Sequence, residues 1–209
     1  MKSFFNIFTE SAARMKELRT IAVTGMLMAM GIALRWAGID VTPDLRIVFT
    51  CLPLCVIGMF YGPVVCAFAT LGIDVIGYIV ANKTSRGYMP QLIPVELLTG
   101  VIYGVILYKR VIHMEDGDIF RAAVARALAI IICNIALRSY ILYKTFTVPD
   151  FTLMCFFNGD NAMRDSFIVW ISPRIFKNFA QYMVDMPLLA AILPAAQTAY
   201  NRVFGRKTV

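Results

Sequence analysis

Six long apolar stretches constrain the fold of this chain more than any other feature of its sequence. Each approaches the roughly 20 residues that an α-helix needs to cross a hydrocarbon layer of about 30 Å. The stretches cover residues 21–37, 46–61, 64–81, 92–108, 122–143 and 173–196. With 59% hydrophobic and only 16% charged residues among 209, the chain is too apolar for an ordinary water-soluble domain. We therefore predict an all-α membrane protein with six transmembrane helices.

The distribution of charge predicts that both termini are cytoplasmic. In that orientation the inner flanks carry eleven Lys and Arg residues, Arg126 among them, against five Asp and Glu residues. Lys and Arg are retained on the cytoplasmic side during insertion, so the net charge of +7 points to topology and not to nucleic acid. Residues 1–20 are predicted to form a cytoplasmic amphipathic helix on the membrane surface. Residues 21–200 form the six-helix domain, and residues 201–209 form a basic cytoplasmic tail.

Several polar or ionisable side chains lie inside the apolar stretches, where each charge costs about 2.5–3.5 kcal/mol. They are Arg35, Asp74, Glu96, Asn134, Arg138 and Asp185. Such residues normally face the interior of a bundle and mark the path of a substrate or an ion. Internal ion pairing without a ligand, for example between Asp74 and Arg138, is the alternative.

Two stripes at helical spacing suggest surfaces with different uses. In the sixth stretch Arg174, Asn178, Gln181 and Asp185 share one face, with Lys177 beside them, and Asn134 and Arg138 repeat this spacing in the fifth. Both could line one cavity that opens outward. In the first stretch Gly25, Ala29, Ala33 and Ala37 recur every four residues and allow close approach of another helix. The sequence leaves open whether that helix belongs to this chain or to a partner.

Catalytic and metal-binding interpretations find little support. The one histidine, His113, lies in a charged loop, and no phosphate-binding loop of the G-x-x-x-x-G-K-[ST] type is present. The five cysteines include no C-x-x-C pair. We therefore expect no enzyme activity, no metal and no cofactor.

An ordered set of short motifs resembles one membrane protein family. The motifs are TPDLRI at 42–47, LP at 52–53, GMFYGP at 58–63, IDVIGY at 73–78, GYMP at 87–90, GVIYG at 100–104 and SPRIFKN at 172–178. Together they resemble the folate family of substrate-binding S components of energy-coupling factor (ECF) vitamin transporters. The resemblance implies a six-helix protein of a prokaryotic plasma membrane that captures a vitamin from outside. It also implies a transmembrane coupling subunit and two ATPase subunits as partners, with docking at Gly25, Ala29 and Ala33.

A folate-like ligand agrees with the charged residues. A pterin edge offers N–H donors to a carboxylate such as Asp74, Glu96 or Asp185, whereas the two carboxylates of the glutamyl tail suit Arg or Lys. The aromatic rings of Tyr88 and Phe157 could cover the ligand. The candidate ligand-binding residues are Arg35, Asp74, Arg86, Tyr88, Glu96, Arg138, Arg174, Lys177, Asn178 and Gln181.

Two features depart from the family pattern and keep alternatives open. Residues 82–94 differ from the usual third outer loop of the family, and Glu96 is an added charge, so a different vitamin is one alternative. The other is a stand-alone secondary transporter that couples to protons or sodium through Asp74 and Asp185, although no inverted repeat is detectable.

Overall fold

The computed structural model describes residues 2–42, 45–81, 87–109, 116–146 and 161–204. This part of the chain is almost entirely helical, which confirms the predicted class. The helices are α1 (Lys2–Arg14), α2 (Leu18–Trp36), α3 (Cys51–Tyr61), α4 (Pro63–Ala81), α5 (Ile93–Leu107), α6 (Asp116–Leu128), a π-helix (Ala129–Arg138), α7 (Ser139–Phe146) and α8 (Asn161–Phe204). A 3₁₀ turn, Pro90–Leu92, precedes α5, and the strands β1 (Ile39–Thr42) and β2 (Leu45–Ile47) pair as one short antiparallel ribbon.

Five helical runs in the described part of the chain are long and apolar enough to cross a membrane. They are Leu18–Trp36, Pro63–Val80, Pro90–Leu107, Asp118–Phe146 and Arg164–Val203. The remaining predicted span, residues 46–61, differs because its first residues belong to β2 and the helix α3 begins only at Cys51. At 1.5 Å per residue α3 is about 16 Å long, roughly half of the hydrocarbon thickness. Ten of its eleven residues are buried by the surrounding helices.

The last two predicted spans are longer in the structure than in the sequence prediction. α6, the π-helix and α7 follow one another without a break from Asp116 to Phe146. α8 begins twelve residues before the predicted start at Pro173 and keeps Pro173, Pro187 and Pro194 inside the helix. Its 44 residues correspond to about 66 Å, so α8 extends well beyond a bilayer core.

α3 and α4 meet at a tight corner that only glycine allows. Gly62 has φ of 88°, in the left-handed region, and a Cβ placed there would lie 2.9 Å from Ser11 Oγ. Pro63 then begins α4, a position where the missing N–H is not needed for helical hydrogen bonding. The buried Ser11 hydroxyl donates to the Tyr61 carbonyl (2.7 Å) and accepts from the Val64 N–H (3.1 Å). Helix α1 therefore caps α4 from a distant part of the chain.

Further polar contacts hold α1 against the same end of the bundle, which we call the α1 end. Arg14 donates to the Phe60 carbonyl at 3.1 Å, and Lys109 Nζ lies 2.6 Å from the Glu10 carboxylate. The hydrogen bond from Lys109 lowers the pKa of Glu10, so the carboxylate is ionised at neutral pH. The opposite end of the bundle carries the strand ribbon, the end of α4 and the start of α5, and we call it the ribbon end.

Small residues bring α3, α4 and α5 into close contact. A Cβ on Gly100 of α5 would lie 2.6 Å from the Cα of Ala67 in α4, and a Cβ on Gly58 of α3 would lie 3.1 Å from the backbone of α5. The apolar core forms around these three helices, and Leu189 and Leu193 of α8 complete it. This packing places α2, α4, α5 and the π-helix side by side at the ribbon end.

Candidate functional site

A cation from α2 and an anion from α4 meet at the ribbon end. Arg35, in the last turn of α2, places Nη1 3.2 Å from Asp74 Oδ1 and also donates to the backbone carbonyls of Ile73 and Asp74 at 3.4 Å. Both side chains remain partly exposed, at 32% for Arg35 and 17% for Asp74. The alternative partner of Asp74 that the sequence suggested, Arg138, is not the one that the structure pairs with it.

A second ion pair lies beside the first. Arg138, the last residue of the π-helix, donates from Nη2 to Glu96 Oε1 in the first turn of α5. Arg138 also interacts electrostatically with Asp74 and Arg35, while its buried Nε has no hydrogen-bond partner among the described residues. The two pairs thus form one cluster with two cations and two anions, which we call the charge cluster: Arg35, Asp74, Glu96 and Arg138.

Tyr88 lies against the charge cluster. Its hydroxyl donates to Asp74 Oδ2 at 3.3 Å, and its ring lies 5.1 Å from that of Tyr78. Burial, together with the nearby Asp74 carboxylate, raises the pKa of Tyr88 above its usual value, so the phenol stays protonated and can donate. An aromatic face and a hydrogen-bond donor therefore border the charge cluster at Asp74.

The polar stripe predicted in the sixth stretch lies on α8, and its residues fall in two environments. Near the ribbon end the guanidinium of Arg174 lies 3.8 Å from the ring centre of Trp170, and Asn178 donates to the Arg174 carbonyl within its own helix at 2.8 Å. Lys177 is half-buried beside them. Trp170 was not among the predicted residues, although its position four residues before Arg174 on a helix is a sequence signal for this cation–π contact.

Deeper in the bundle, the other two residues of the stripe, Gln181 and Asp185, are hydrogen-bonded within the protein. Asp185 is fully buried and accepts from Arg126 Nε at 2.9 Å and from Arg126 Nη2 at 2.5 Å. Arg126 Nη1 donates to the Tyr103 hydroxyl at 2.7 Å, and Gln181 Nε2 donates to Asp185 Oδ1 at 2.9 Å. The suggestion that Asp185 accepts from a ligand is therefore not supported, because the carboxylate is fully buried and enclosed by Arg126 and Gln181, whereas Asp74 stays partly exposed.

The position of Arg126 differs from the one that the sequence predicted. It was assigned to the cytoplasmic flank, but in the structure it is only 8% exposed and lies inside the bundle. The signal was available, because Arg126 falls within the predicted span 122–143 and the cost of a charge inside a span applies to it as it does to Arg138.

The small residues of α2 lie on its outer surface. Gly25, Ala29 and Ala33 are exposed, and a Cβ on Gly25 would meet nothing within 4 Å. The opposite side of α2 packs inward through Thr20, Thr24 and Gly31. Within the described part of the chain, no other helix covers this small-residue face. Arg86 and Phe157 lie outside the described residues.

The chemistry available at the charge cluster is recognition of a polar, charged molecule. Its carboxylates can accept from paired N–H donors, and its guanidinium groups can bind carboxylates in two-point geometry. Among the described residues no group of three or more His, Cys, Asp or Glu side chains could hold a metal ion.

Comparisons with known proteins extend over most of the bundle. Residues 19–193 match a family model described as "ECF transporter, substrate-specific component". The chain is 23% identical over 171 residues to a protein named folate transporter FolT of Leuconostoc mesenteroides subsp. mesenteroides, covering 81% of this chain and 82% of that protein. A structure described as the crystal structure of FolT bound with folic acid is 25% identical, with a TM-score of 0.63. That match covers 84% of this chain and 92% of the other.

Proposed function

Because the chain belongs to the substrate-specific components of ECF transporters, we propose that it captures folate or a related vitamin from outside the cell for ATP-driven uptake. The charge cluster at the ribbon end carries this proposal. It combines two partly exposed cations and two partly exposed anions in a chain that aligns with a folic-acid-bound FolT over most of its length.

The two halves of folate match the two signs of charge in the cluster. The pterin edge has an amide N–H and an exocyclic amine, which a carboxylate such as Glu96 or Asp74 can accept together. The glutamyl tail has two carboxylates, which suit the guanidinium groups of Arg35 and Arg138. On binding, a guanidinium group can exchange its protein carboxylate for a ligand carboxylate, and the released protein carboxylate can accept from the neutral N–H groups of the pterin.

We propose that further side chains contribute to this site. Tyr88 can stack on the ligand and Arg174 and Lys177 add positive charge from α8. Asn178 offers an amide near them. Arg86 belongs to the neighbouring loop and is proposed as a further cation for the glutamyl tail.

The proposed topology has six crossings and two cytoplasmic termini. α3 supplies the shortest crossing, with the strand ribbon completing its path to the outer surface. With Arg126 inside the bundle, ten cations still face five acids on the proposed inner flanks, so the orientation is retained. Residues 1–20 lie on the cytoplasmic surface, residues 21–200 form the substrate-binding domain, and residues 201–209 form a basic tail. The compartment is the plasma membrane of a prokaryotic cell.

The proposed partners are a transmembrane coupling subunit and two ATPase subunits. The exposed small-residue face of α2, with Gly25, Ala29 and Ala33, supports a helix docking there at short distance. The sequence contains no P-loop, so we expect ATP hydrolysis to be supplied by the partners.

Calorimetric titration of the purified protein in detergent tests this function directly. Folate is titrated beside pantothenate, riboflavin and thiamine as controls. We expect one folate to bind per chain while the other three vitamins do not bind. Binding of another vitamin instead would reject folate as the ligand. If none of the four vitamins binds, a vitamin-binding role is contradicted.

The stand-alone secondary transporter is the weaker alternative. It needs Asp74 and Asp185 to bind and release an ion, whereas each accepts from an arginine in the structure. Ion-dependent folate uptake by the chain alone, without partners, would favour it.

A further inference from the structure

The side-chain amide of Gln181 in α8 is hydrogen-bonded to both the backbone carbonyl and the backbone N–H of Val48. Gln181 Nε2 donates to the Val48 carbonyl at 2.9 Å, and the Val48 N–H donates to Gln181 Oε1 at 3.3 Å. A pair of hydrogen bonds between one amide and one backbone residue fixes both the distance and the orientation of that residue. Val48 directly follows strand β2, so this contact holds one end of the ribbon against α8.

The same amide is anchored on its other side by the buried ion pair. The second N–H of Gln181 donates to Asp185 Oδ1 at 2.9 Å, while Arg126 occupies Asp185 Oδ2. A glutamine amide has only two N–H donors, and both are used here. Arg126 in turn donates to Tyr103 of α5. The anchor of the ribbon therefore includes side chains from three helices, α5, α6 and α8.

The ribbon connects this anchor to the charge cluster. Strand β2 pairs with β1, with Ile47 opposite Ile39, and β1 follows the last turn of α2 after two residues. That last turn carries Arg35, the cation paired with Asp74. A displacement at Val48 is therefore transmitted through a hydrogen-bonded strand pair to the helix end that holds Arg35.

We infer that Gln181 is a positioning residue: by clamping Val48 to the Arg126–Asp185 pair, it fixes the ribbon that follows the α2 end carrying Arg35, and it slows ligand release. We assign Gln181 to positioning instead of the ligand contact that its sequence position suggested, because both of its N–H groups and its Oε1 are bonded within the protein. This inference rests on the proposed function, because it treats the charge cluster as the ligand site.

The test compares Gln181→Met with Gln197→Met. Methionine keeps the length of glutamine but cannot make the paired bonds to Val48. Gln197 lies on the same helix, and its side chain donates to Asn201 at 3.3 Å, so the same substitution there leaves the bonds of Gln181 intact. Hydrogen–deuterium exchange is measured on the ligand-free proteins, and the folate dissociation rate is measured on the loaded proteins.

We expect Gln181→Met to accelerate amide exchange over residues 45–50 about tenfold, as the loss of two hydrogen bonds implies, while exchange in α4 is unchanged. Folate should leave this variant about tenfold faster and leave Gln197→Met at the wild-type rate. Should Gln181→Met not fold, Gln181→Asn gives the same comparison, since it keeps the amide but is one methylene too short to reach Val48.

Two results would overturn the inference. Unchanged exchange over residues 45–50 would show that Gln181 does not hold the ribbon. Faster exchange with an unchanged folate dissociation rate would show that the ribbon does not retain the ligand. The exchange measurement needs no ligand, so a wild-type protein that fails to bind folate would reject the proposed function while the clamp is still judged on its own.

Discussion

The ion pairs inside the bundle differ in their exposure to solvent. This difference separates the pairs that a ligand can reach from the pair that supports the fold. Arg126–Asp185 is almost completely enclosed, at 10% and 0% side-chain exposure, and an enclosed pair cannot exchange a partner without opening the bundle. Arg35–Asp74 and Arg138–Glu96 retain between 15% and 35% exposure. An incoming ligand can reach these two pairs, so we assign recognition to them and support to Arg126–Asp185.

Replacement of Arg138 tests the ligand role of the charge cluster. Arg138→Met removes a cation but keeps a long side chain, and we expect folate affinity to fall about tenfold to a hundredfold in calorimetric titration, as loss of a charge-assisted hydrogen bond implies. The double variant Glu96→Gln/Arg138→Met separates the loss of the ligand contact from the effect of an unpaired Glu96. Arg121→Met, which removes a cation from an exposed pair with Asp118, is the control. Equal affinity of Arg138→Met and the wild type would exclude Arg138 from the site.

Replacement of Arg126 tests the structural role of the enclosed pair. Arg126→Met leaves the Asp185 carboxylate buried without its cation, which is expected to cost about 3–5 kcal/mol of stability. The double variant Arg126→Met/Asp185→Leu removes both charges and should recover most of the loss. Thermal unfolding of the ligand-free protein in detergent measures both. A double variant no more stable than Arg126→Met would contradict this account.

At the scale of elements, the N-terminal helix α1 is part of the fold, because its polar side chains bind the backbone of the bundle. The Ser11 hydroxyl supplies the N-cap that α4 lacks within its own sequence, because Gly62, which precedes α4, has no side chain. The exposed Glu10–Lys109 pair adds less, since ion pairs in contact with water contribute about 0–1 kcal/mol. The buried hydroxyl and the Arg14 hydrogen bond to the Phe60 carbonyl are therefore the stronger polar attachments of α1.

Ser11→Ala tests the attachment through the hydroxyl. It leaves the Val64 N–H and the Tyr61 carbonyl without their partner, and we expect a loss of about 1–2 kcal/mol, visible as a lower melting temperature. Thr9→Ala, an exposed hydroxyl on the same helix, should change stability by less than about 0.5 kcal/mol. Similar losses in the two variants would show that the cap contributes nothing specific.

At the scale of the whole molecule, the proposed ligand site and the proposed docking face lie on different surfaces. The charge cluster lies between helices at the ribbon end, whereas Gly25, Ala29 and Ala33 lie along the outer face of α2. A change on one surface can therefore be made without disturbing the other.

Ala29→Trp and Ala33→Trp test this separation. A large ring on the small-residue face prevents close helix approach, so we expect uptake by vesicles that contain the partner subunits to be abolished. Folate titration of the isolated variants should match the wild type, because α2 packs inward through its other side. Val203→Trp, at another exposed apolar position, is the control and should retain uptake. Loss of folate binding in Ala29→Trp or Ala33→Trp would contradict the separation.

The sequence alone predicted the class of the fold and the kind of residues in the site. A helix in a bilayer must bury its backbone hydrogen bonds and expose apolar side chains, so long apolar stretches identify it without knowledge of its neighbours. A charge inside such a stretch is costly, so Asp74, Glu96 and Arg138 stood out by position. The shorter α3 and the strand ribbon were missed, since a short apolar run does not by itself distinguish a strand from a helix.

Only the tertiary structure decided which charges meet. Asp74 pairs with Arg35, Glu96 with Arg138 and Asp185 with Arg126, across separations of 39, 42 and 59 residues. Sequence spacing shows which residues share a face of one helix, but pairing between helices depends on how each helix is rotated and how deep each side chain lies. The close packing at Gly100 and Gly58 sets the rotations of α3, α4 and α5, and with them the positions of Asp74 and Glu96.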